Sequence, residues 1–292
     1  MDIVLSLHLL PPVPARARFY DHQRGSCVND VQEDILQATL SGLEAGLLVR
    51  HIAAFDLKTC DVDDEMTKVL LDPVLGDFDQ IPVKKNDQIV GVVERKEEGI
   101  SGPVKENMRP LDESILVSAE MPLIKFIHLA AGTPCRLELK GAKIQGIVTP
   151  SDIPKLPVRL FAFALVTHLE MVMANVIRAK CPNEQDWLAF LSVGRRKKLE
   201  KKSHDLKRKN LNLSMLELTE FCDKRTTVKK VCKLSNKFES ELKEIEKLRN
   251  KVAHAGNYAQ NEEEVRSFVE LLRQAEHWIN QLSEGMRSSP KG

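Results

Sequence analysis

Aromatic side chains are scarce in this chain: Phe, Trp and Tyr make up 5% of its 292 residues. With hydrophobic residues at 42%, its interior has to be built from aliphatic side chains. Its six cysteines, Cys27, Cys60, Cys135, Cys181, Cys222 and Cys232, show no Cys-x-x-Cys pair and no zinc-ligand spacing. That excludes a zinc module legible from spacing, and reduced thiols in a cytoplasmic protein without a metal site are expected. A charge excess is lacking too. A formal net charge of +1 excludes a uniformly basic nucleic-acid binder, although local asymmetry can hide beneath it. The apolar run Ile3 to Leu10 follows Asp2 rather than basic residues and is too short to cross a bilayer, so neither a signal peptide nor a membrane partner is expected.

What is present points to at least two domains, since typical domains run to about 100–200 residues. Residues 1–30, rich in proline and polar side chains, read as an irregular leader. Val31 to Val49 has a helical apolar pattern. Ile52 to Leu57 reads as a strand, Asp61 as the cap of a helix through Met66 and Leu70, and Ile81 to Val83 and Ile89 to Val93 as strands joined by a turn at Asn86-Asp87. The order then repeats after about 55 residues. Ile115 to Val117 is a strand, Pro122 to Ala131 a helix, and Arg136 to Leu139 with Ile144 to Val148 a hairpin about Lys140-Gly141.

The two hairpins end alike, Ile89-Val90-Gly91-Val92-Val93 against Ile144-Gln145-Gly146-Ile147-Val148, the second continuing Thr149-Pro150-Ser151-Asp152. This resembles a tandem pair of CBS domains (31–155, the units near 49–100 and 103–155). The resemblance implies that Asp152 faces the ribose hydroxyls of an adenine nucleotide, AMP, ADP, ATP or S-adenosylmethionine, and that Thr149 faces its phosphate. A carboxylate accepting two hydroxyls and a hydroxyl donating to phosphate are chemically suited to those roles. In the first repeat Glu94 and Glu97 stand at the matching places, and Glu94 would repel a phosphate, so one usable cleft is expected. The alternative is that both repeats only fold and dimerise, Ser151-Asp152 capping the next helix.

Pro154 and Pro157 mark a junction, after which Val158 to Ile177 reads as a long apolar helix carrying one acidic residue, Glu170. Asp186 to Leu191 opens another helix, and Leu213 to Phe221 and Thr227 to Leu234 read as shorter ones. Val265 to Leu282 closes the bundle, and 288–292 is a loose tail. Between them lies the most basic run, Arg195, Arg196, Lys197, Lys198, Lys201, Lys202, Lys207, Arg208 and Lys209. It is either a solvated helix face or, with Arg195 to Lys198 leading, an RNA-binding surface.

The segment Phe238 to Tyr258 carries the candidate chemistry. Phe238, Leu242, Ile245, Leu248 and Val252 form one helical stripe, with a start at Asn236 and Glu239 and a stop at Gly256. Asn250 and His254 share a face opposite that stripe. Arg249 begins inside it, so it has to reach a carboxylate, Glu170 being the natural one, or an edge. Arg249-Asn250-Lys251-Val252-Ala253-His254 resembles the signature of the HEPN superfamily, and 156–287 fits such a helical domain. The resemblance implies metal-independent RNA cleavage at a homodimer interface, with Arg249, Asn250 and His254 as site residues and the ribose 2′-hydroxyl attacking the adjacent phosphate. The expected fold is α+β: a tandem CBS (β-α-β-β-α) pair followed by an all-α HEPN-like bundle. Two functions stay open, a nucleotide-regulated endoribonuclease needing no cofactor for catalysis and a non-enzymatic nucleotide- or RNA-binding dimerisation module.

Overall fold

The computed structural model describes residues 38–95, 101–130, 135–254, 258–259 and 261–287. The leader, the start of the helix expected from Val31, Glu97, Gly256 and the tail lie outside the described residues. Helix α1 covers 38–46 and gives way to a 3-10 turn at Val49–His51, so the helix expected to reach Val49 stops earlier. There follow β1 (Cys60–Asp61), α2 (Met66–Leu71), β2 (Gln80–Lys85), β3 (Gln88–Glu94), α3 (Val104–Asn107) and β4 (Arg109–Pro110). The strands form a sheet in that order, β1 parallel to β2 and the rest antiparallel. Asn86 and Asp87 both take positive φ (49° and 60°), the conformation of a two-residue hairpin turn that these side chains tolerate.

The second unit repeats the plan with β5 (Leu116–Ser118), α4 (Leu123–Ala130), β6 (Arg136–Lys140) and β7 (Lys143–Val148). Here β5 is parallel to β6 and β6 antiparallel to β7. Both hairpins shift register at matching places, Val83/Lys84 and Glu138/Leu139. The expected strand at Ile52 to Leu57 is a single bridge. Ala54 and Ile147 exchange N–H···O bonds of 2.8 and 3.0 Å, so this stretch completes the second sheet while β4 completes the first. Ile52 and Ala53 are both buried, which breaks the alternation a strand needs. The shared glycines mark these crossings. A Cβ on Gly91 would lie 2.4 Å from the Arg109 carbonyl oxygen, and one on Gly146 would lie 2.9 Å from Glu138 Oε2 and 3.1 Å from the Ala54 carbonyl oxygen.

Six helices follow: α5 (Leu156–Lys180), α6 (Glu184–Leu188), α7 (Val193–Lys207), α8 (Phe221–Val231), α9 (Asn236–Ala253) and α10 (Glu262–Arg287). Among the described helices α5 alone is long and apolar enough to cross a membrane, but 67% of its most apolar window is buried as the bundle's central element. Several expected starts move. Glu65, not Asp61, precedes α2, and Asn183 caps α6 through the Gln185 N–H. One helix, α8, replaces the two expected around Leu213 and Thr227, because Asp223 accepts the Glu220 N–H at 2.9 Å and begins the helix at Phe221. Ser235 precedes α9, while Asn236 and Glu239, read as a helix start, both bind the Lys229 ammonium.

The first unit has its own core around Met66, Ile81, Val83 and Val104. The two sheets meet through Val92, Ile115, Cys135 and Leu137. The second unit's core, with Val49, Ile127, Val148 and Ile153, runs without a break into Phe161, Leu165, Phe238 and Phe268 of the bundle. The five described cysteines are free, and burial pushes the Cys60 and Cys135 thiols up to about 11. The glycine crossings give a test. Gly91→Ala forces a side chain into backbone and should cost about 1–3 kcal/mol in urea unfolding, whereas Gly194→Ala, with nothing within 4 Å, should not lower stability.

Candidate functional site

The stripe read for α9 is the buried one: Phe238, Leu242, Ile245, Leu248 and Val252 are at most 3% exposed. Asn250 and His254 are exposed on the opposite side, and the His254 N–H closes the helix on the Asn250 carbonyl at 3.1 Å. Arg249 lies between these faces, 35% exposed, with Nη2 3.4 Å from Glu170 Oε2. Its Nε is buried without a partner. The expected pair with Glu170 is therefore present but loose. The tight partner is Lys224, whose ammonium donates to Glu170 Oε1 at 2.9 Å and to the Thr219 carbonyl at 2.8 Å while the residue is 6% exposed. Sequence reasoning missed Lys224, because α8 buries Asp223, Lys224, Arg225 and Thr227 and so has no apolar stripe to betray which face is inside.

The basic run on α7 divides. Arg195 grips Asp223 with Nε at 2.8 Å and Nη2 at 2.6 Å and reaches Glu220 at 2.9 Å. These hydrogen bonds, the Asp223 carboxylate first, raise its already high pKa, and the guanidinium serves the joint between α7 and α8 rather than solvent. Arg196 is half-buried. Lys197 and Lys198 are exposed, with Lys201 and Lys202 one turn further on. The outward cationic surface is thus made mostly of lysines, with Arg208 exposed at its end.

Thr149 and Asp152 meet directly. Asp152 is 7% exposed; its Oδ2 accepts the Thr149 N–H at 2.7 Å and the Thr149 hydroxyl at 3.1 Å, and its Oδ1 lies 2.6 Å from Lys155 Nζ. Both carboxylate oxygens are thus engaged in the short turn at Pro150–Asp152. The gap beside them, lined by Arg136, Val148, Thr149, Ile153 and Val265, is only about 10 Å³. Val265 belongs to α10, and the Tyr258 hydroxyl donates to the Ile153 carbonyl at 3.3 Å, so the bundle closes over this turn. In the first repeat Glu94 is exposed at the end of β3.

Glu138 also escaped the sequence reading. It stands where the first repeat buries Val83, is 1% exposed, and its Oε2 has no partner. Burial raises its pKa; Lys140 and Arg50 oppose the shift and Glu120 adds to it. The signal was available in the repeat itself, as a glutamate aligned with a core valine.

No protein-family model matches the chain, and no curated protein matches it. Solved structures do. The chain is similar to a Methanocaldococcus jannaschii protein described as an archaeal homologue of g-AMPK, at 16% identity and TM-score 0.32 over 42% of this chain and 51% of that one. The match spans about half the length of the archaeal protein. It is similar to the CBS domain of a bacterial CNNM/CorC family Mg2+ transporter in complex with ATP, at 20% identity and TM-score 0.33 over 44% of this chain and 96% of that one. It is also similar to CBSX2 in complex with AMP, at 16% identity and TM-score 0.32 over 37% and 93%.

Two stability tests follow from this geometry. Lys224→Ala leaves Glu170 buried with only a loose cation and should cost about 3–5 kcal/mol, whereas Arg249→Ala should cost under about 1 kcal/mol, as partly exposed pairs do; urea unfolding of both variants checks the order. For Glu138 the folded carboxyl titrates above the unfolded one, so stability falls as pH rises through that window. Glu138→Gln should therefore raise the melting temperature above parent near about pH 8 and lose that advantage near about pH 4, where the unfolded carboxylate is protonating.

Proposed function

We propose that this chain is a nucleotide-regulated, metal-independent endoribonuclease of the HEPN type, working as a homodimer in the cytoplasm with its paired strand-bearing units as the regulatory module. The observation that carries the reading is the end of α9: a guanidinium with an unpartnered Nε and a loose ion pair, Arg249, five residues before an exposed histidine, His254. Because Lys224 keeps Glu170 compensated, Arg249 can turn to a phosphate without orphaning a buried carboxylate. In the reaction a neutral His254 takes the ribose 2′-hydroxyl proton, and the 2′-oxygen attacks the adjacent phosphorus. The P–O5′ bond breaks, and a protonated histidine of the second subunit gives its proton to the leaving oxygen. A 2′,3′-cyclic phosphate and a 5′-hydroxyl result. Arg249 neutralises the pentacovalent phosphate, and Asn250 orients phosphate or imidazole.

The dimer reading is supported by an exposed apolar row on α5. Leu156, Leu160 and Phe163 are 64%, 49% and 40% exposed, at helical steps of one face. Arg249 meets Glu170 and Tyr258 meets Ile153, so α9 runs back along α5 toward that row. A second copy seated there brings two histidines together. The exposed Lys197 and Lys198 on α7 supply the electrostatic attraction for RNA. For the nucleotide, Asp152 has to exchange Thr149 or Lys155 for ribose hydroxyls, and the start of α10 has to give way.

Three measurements test this. Purified protein in a chelator should cut single-stranded RNA to cyclic-phosphate ends, with His254→Ala and Arg249→Ala each slowing cleavage by about 100-fold or more at nearly unchanged melting temperature; a parent that never cuts leaves the binding-module reading. Light scattering at tens of micromolar should give a dimer mass, and a monomer excludes the shared site. Calorimetry should find an adenine nucleotide bound, weakened by about 1.5–3 kcal/mol in Asp152→Ala; no heat with AMP, ADP, ATP or S-adenosylmethionine removes the sensor.

A further inference from the structure

Glu170 also borders a cavity of about 340 Å³ on the side of α5 away from the second unit, close to the lower end of the roughly 300–1,000 Å³ range of ligand pockets. Its floor is apolar, from Met171, Ala174 and Leu216, and its polar side combines the buried Asn175 and Lys224 with the half-buried Thr167, Glu170 and Arg178 and the exposed Glu217. Asn175 is 7% and Lys224 6% exposed. Asn175 Oδ1 accepts from Arg178 Nη1 at 2.9 Å, which turns the carboxamide NH₂ outward as a donor. Arg178 keeps four N–H groups beyond that bond, and Lys224 keeps a third ammonium proton beyond its bonds to Glu170 and Thr219. The cavity therefore sets the donors of Asn175, Arg178 and Lys224, beside the Thr167 hydroxyl and the carboxylates of Glu170 and Glu217, against an apolar floor. That pairing suits a flat ring bearing carbonyl oxygens and ring nitrogens.

We infer that this cavity holds the base of one nucleotide flanking the scissile phosphate of a single-stranded RNA, a step that rests on the ribonuclease reading above. The position supports it, because Glu170 lines the cavity with one edge and touches Arg249 with the other, so a base seated here puts its phosphate toward that guanidinium. The volume is large enough for a nucleobase. Only an unpaired strand can turn a base out to enter it. Arg178 is the specificity-determining residue, placing donors against the base edge, and Asn175 holds it there.

The test separates binding from cleavage by using 2′-O-methyl RNA, which lacks the nucleophilic hydroxyl. Fluorescence anisotropy of short single-stranded 2′-O-methyl homo-oligomers with the full chain should show a preference among the bases. Arg178→Gln should weaken the preferred oligomer by about 10-fold, as losing a charged hydrogen bond does, and flatten the preference. Met171→Trp, which fills the cavity from its half-buried position, should do the same. Lys197→Gln should weaken every oligomer alike. Equal affinity and equal preference in parent, Arg178→Gln and Met171→Trp overturn the inference, as does effective competition by a duplex of the same sequence. A parent that binds with this pattern yet never cuts refutes the ribonuclease and leaves the base pocket standing.

Discussion

Glu170 is the interaction on which the helical segment turns. It is the sole acidic residue of a 25-residue helix whose buried side chains are otherwise apolar apart from His168 and Asn175. A carboxylate at that depth costs several kcal/mol of desolvation unless cations come to it. Two do, Lys224 from α8 at 2.9 Å and Arg249 from α9 at 3.4 Å, so one charge on the central helix fixes the rotation of both flanking helices. The two contacts differ in kind. The shorter is buried and bonded on two sides, the longer part-solvated and incomplete, so the ion triad has one arm that holds and one that can let go.

The second constraint is that the bundle and the second strand-bearing unit share a core. Ile153 and Val148 pack in the same cluster as Phe161 and Phe268, and the Tyr258 hydroxyl reaches back to the Ile153 carbonyl. On α4, His128 donates from Nε2 to Glu276 at 3.3 Å and accepts the Arg273 Nε–H on Nδ1, binding that unit to α10. With α10 clamped there, the turn at Thr149 to Asp152 cannot move without moving the start of α10, and Tyr258 lies a few residues beyond His254. A displacement of that turn would pass to Tyr258 through its bond to the Ile153 carbonyl. The first unit has a separate core and meets this route at the apolar contact of Val92 with Leu137, at the Cys135 thiol that donates to Gln80 and at the Ala54–Ile147 bridge.

Much of this was legible in the sequence, because period and punctuation report local geometry. The hairpin turns, the repeated Gly, the α9 stripe and the Glu170–Arg249 pair all follow from spacing. What was not legible depends on tertiary neighbours. The strand expected at Ile52 to Leu57 has strand composition, but its partner sits in the other unit, so it crosses at one point only. Arg195 and Lys198 look alike in a basic run, and only the arrival of Asp223 distinguishes a joint from a surface. Helix α8 carries no continuous apolar stripe because the ion-paired Asp223, Lys224 and Arg225 are buried between Phe221 and Val228. Arg249 starts on the buried stripe by its angle, and its length carries the guanidinium to the edge beside Glu170.

The repeat also separates what a fold requires from what one copy has been changed to do. Gly91 and Gly146 are shared, because in each unit a backbone segment crosses where a Cβ would collide. The register shifts beside them are shared too. Side chains facing these crossings are not. Val83 fills its slot with no polar atoms, whereas Glu138 puts a carboxylate oxygen without a partner in the matching place, under the segment supplied by Ala53 and Ala54. An apolar residue there costs nothing, so a carboxylate is a stability loss that the packing alone does not explain. It falls in the unit that carries Thr149 and Asp152 and shares its core with the bundle.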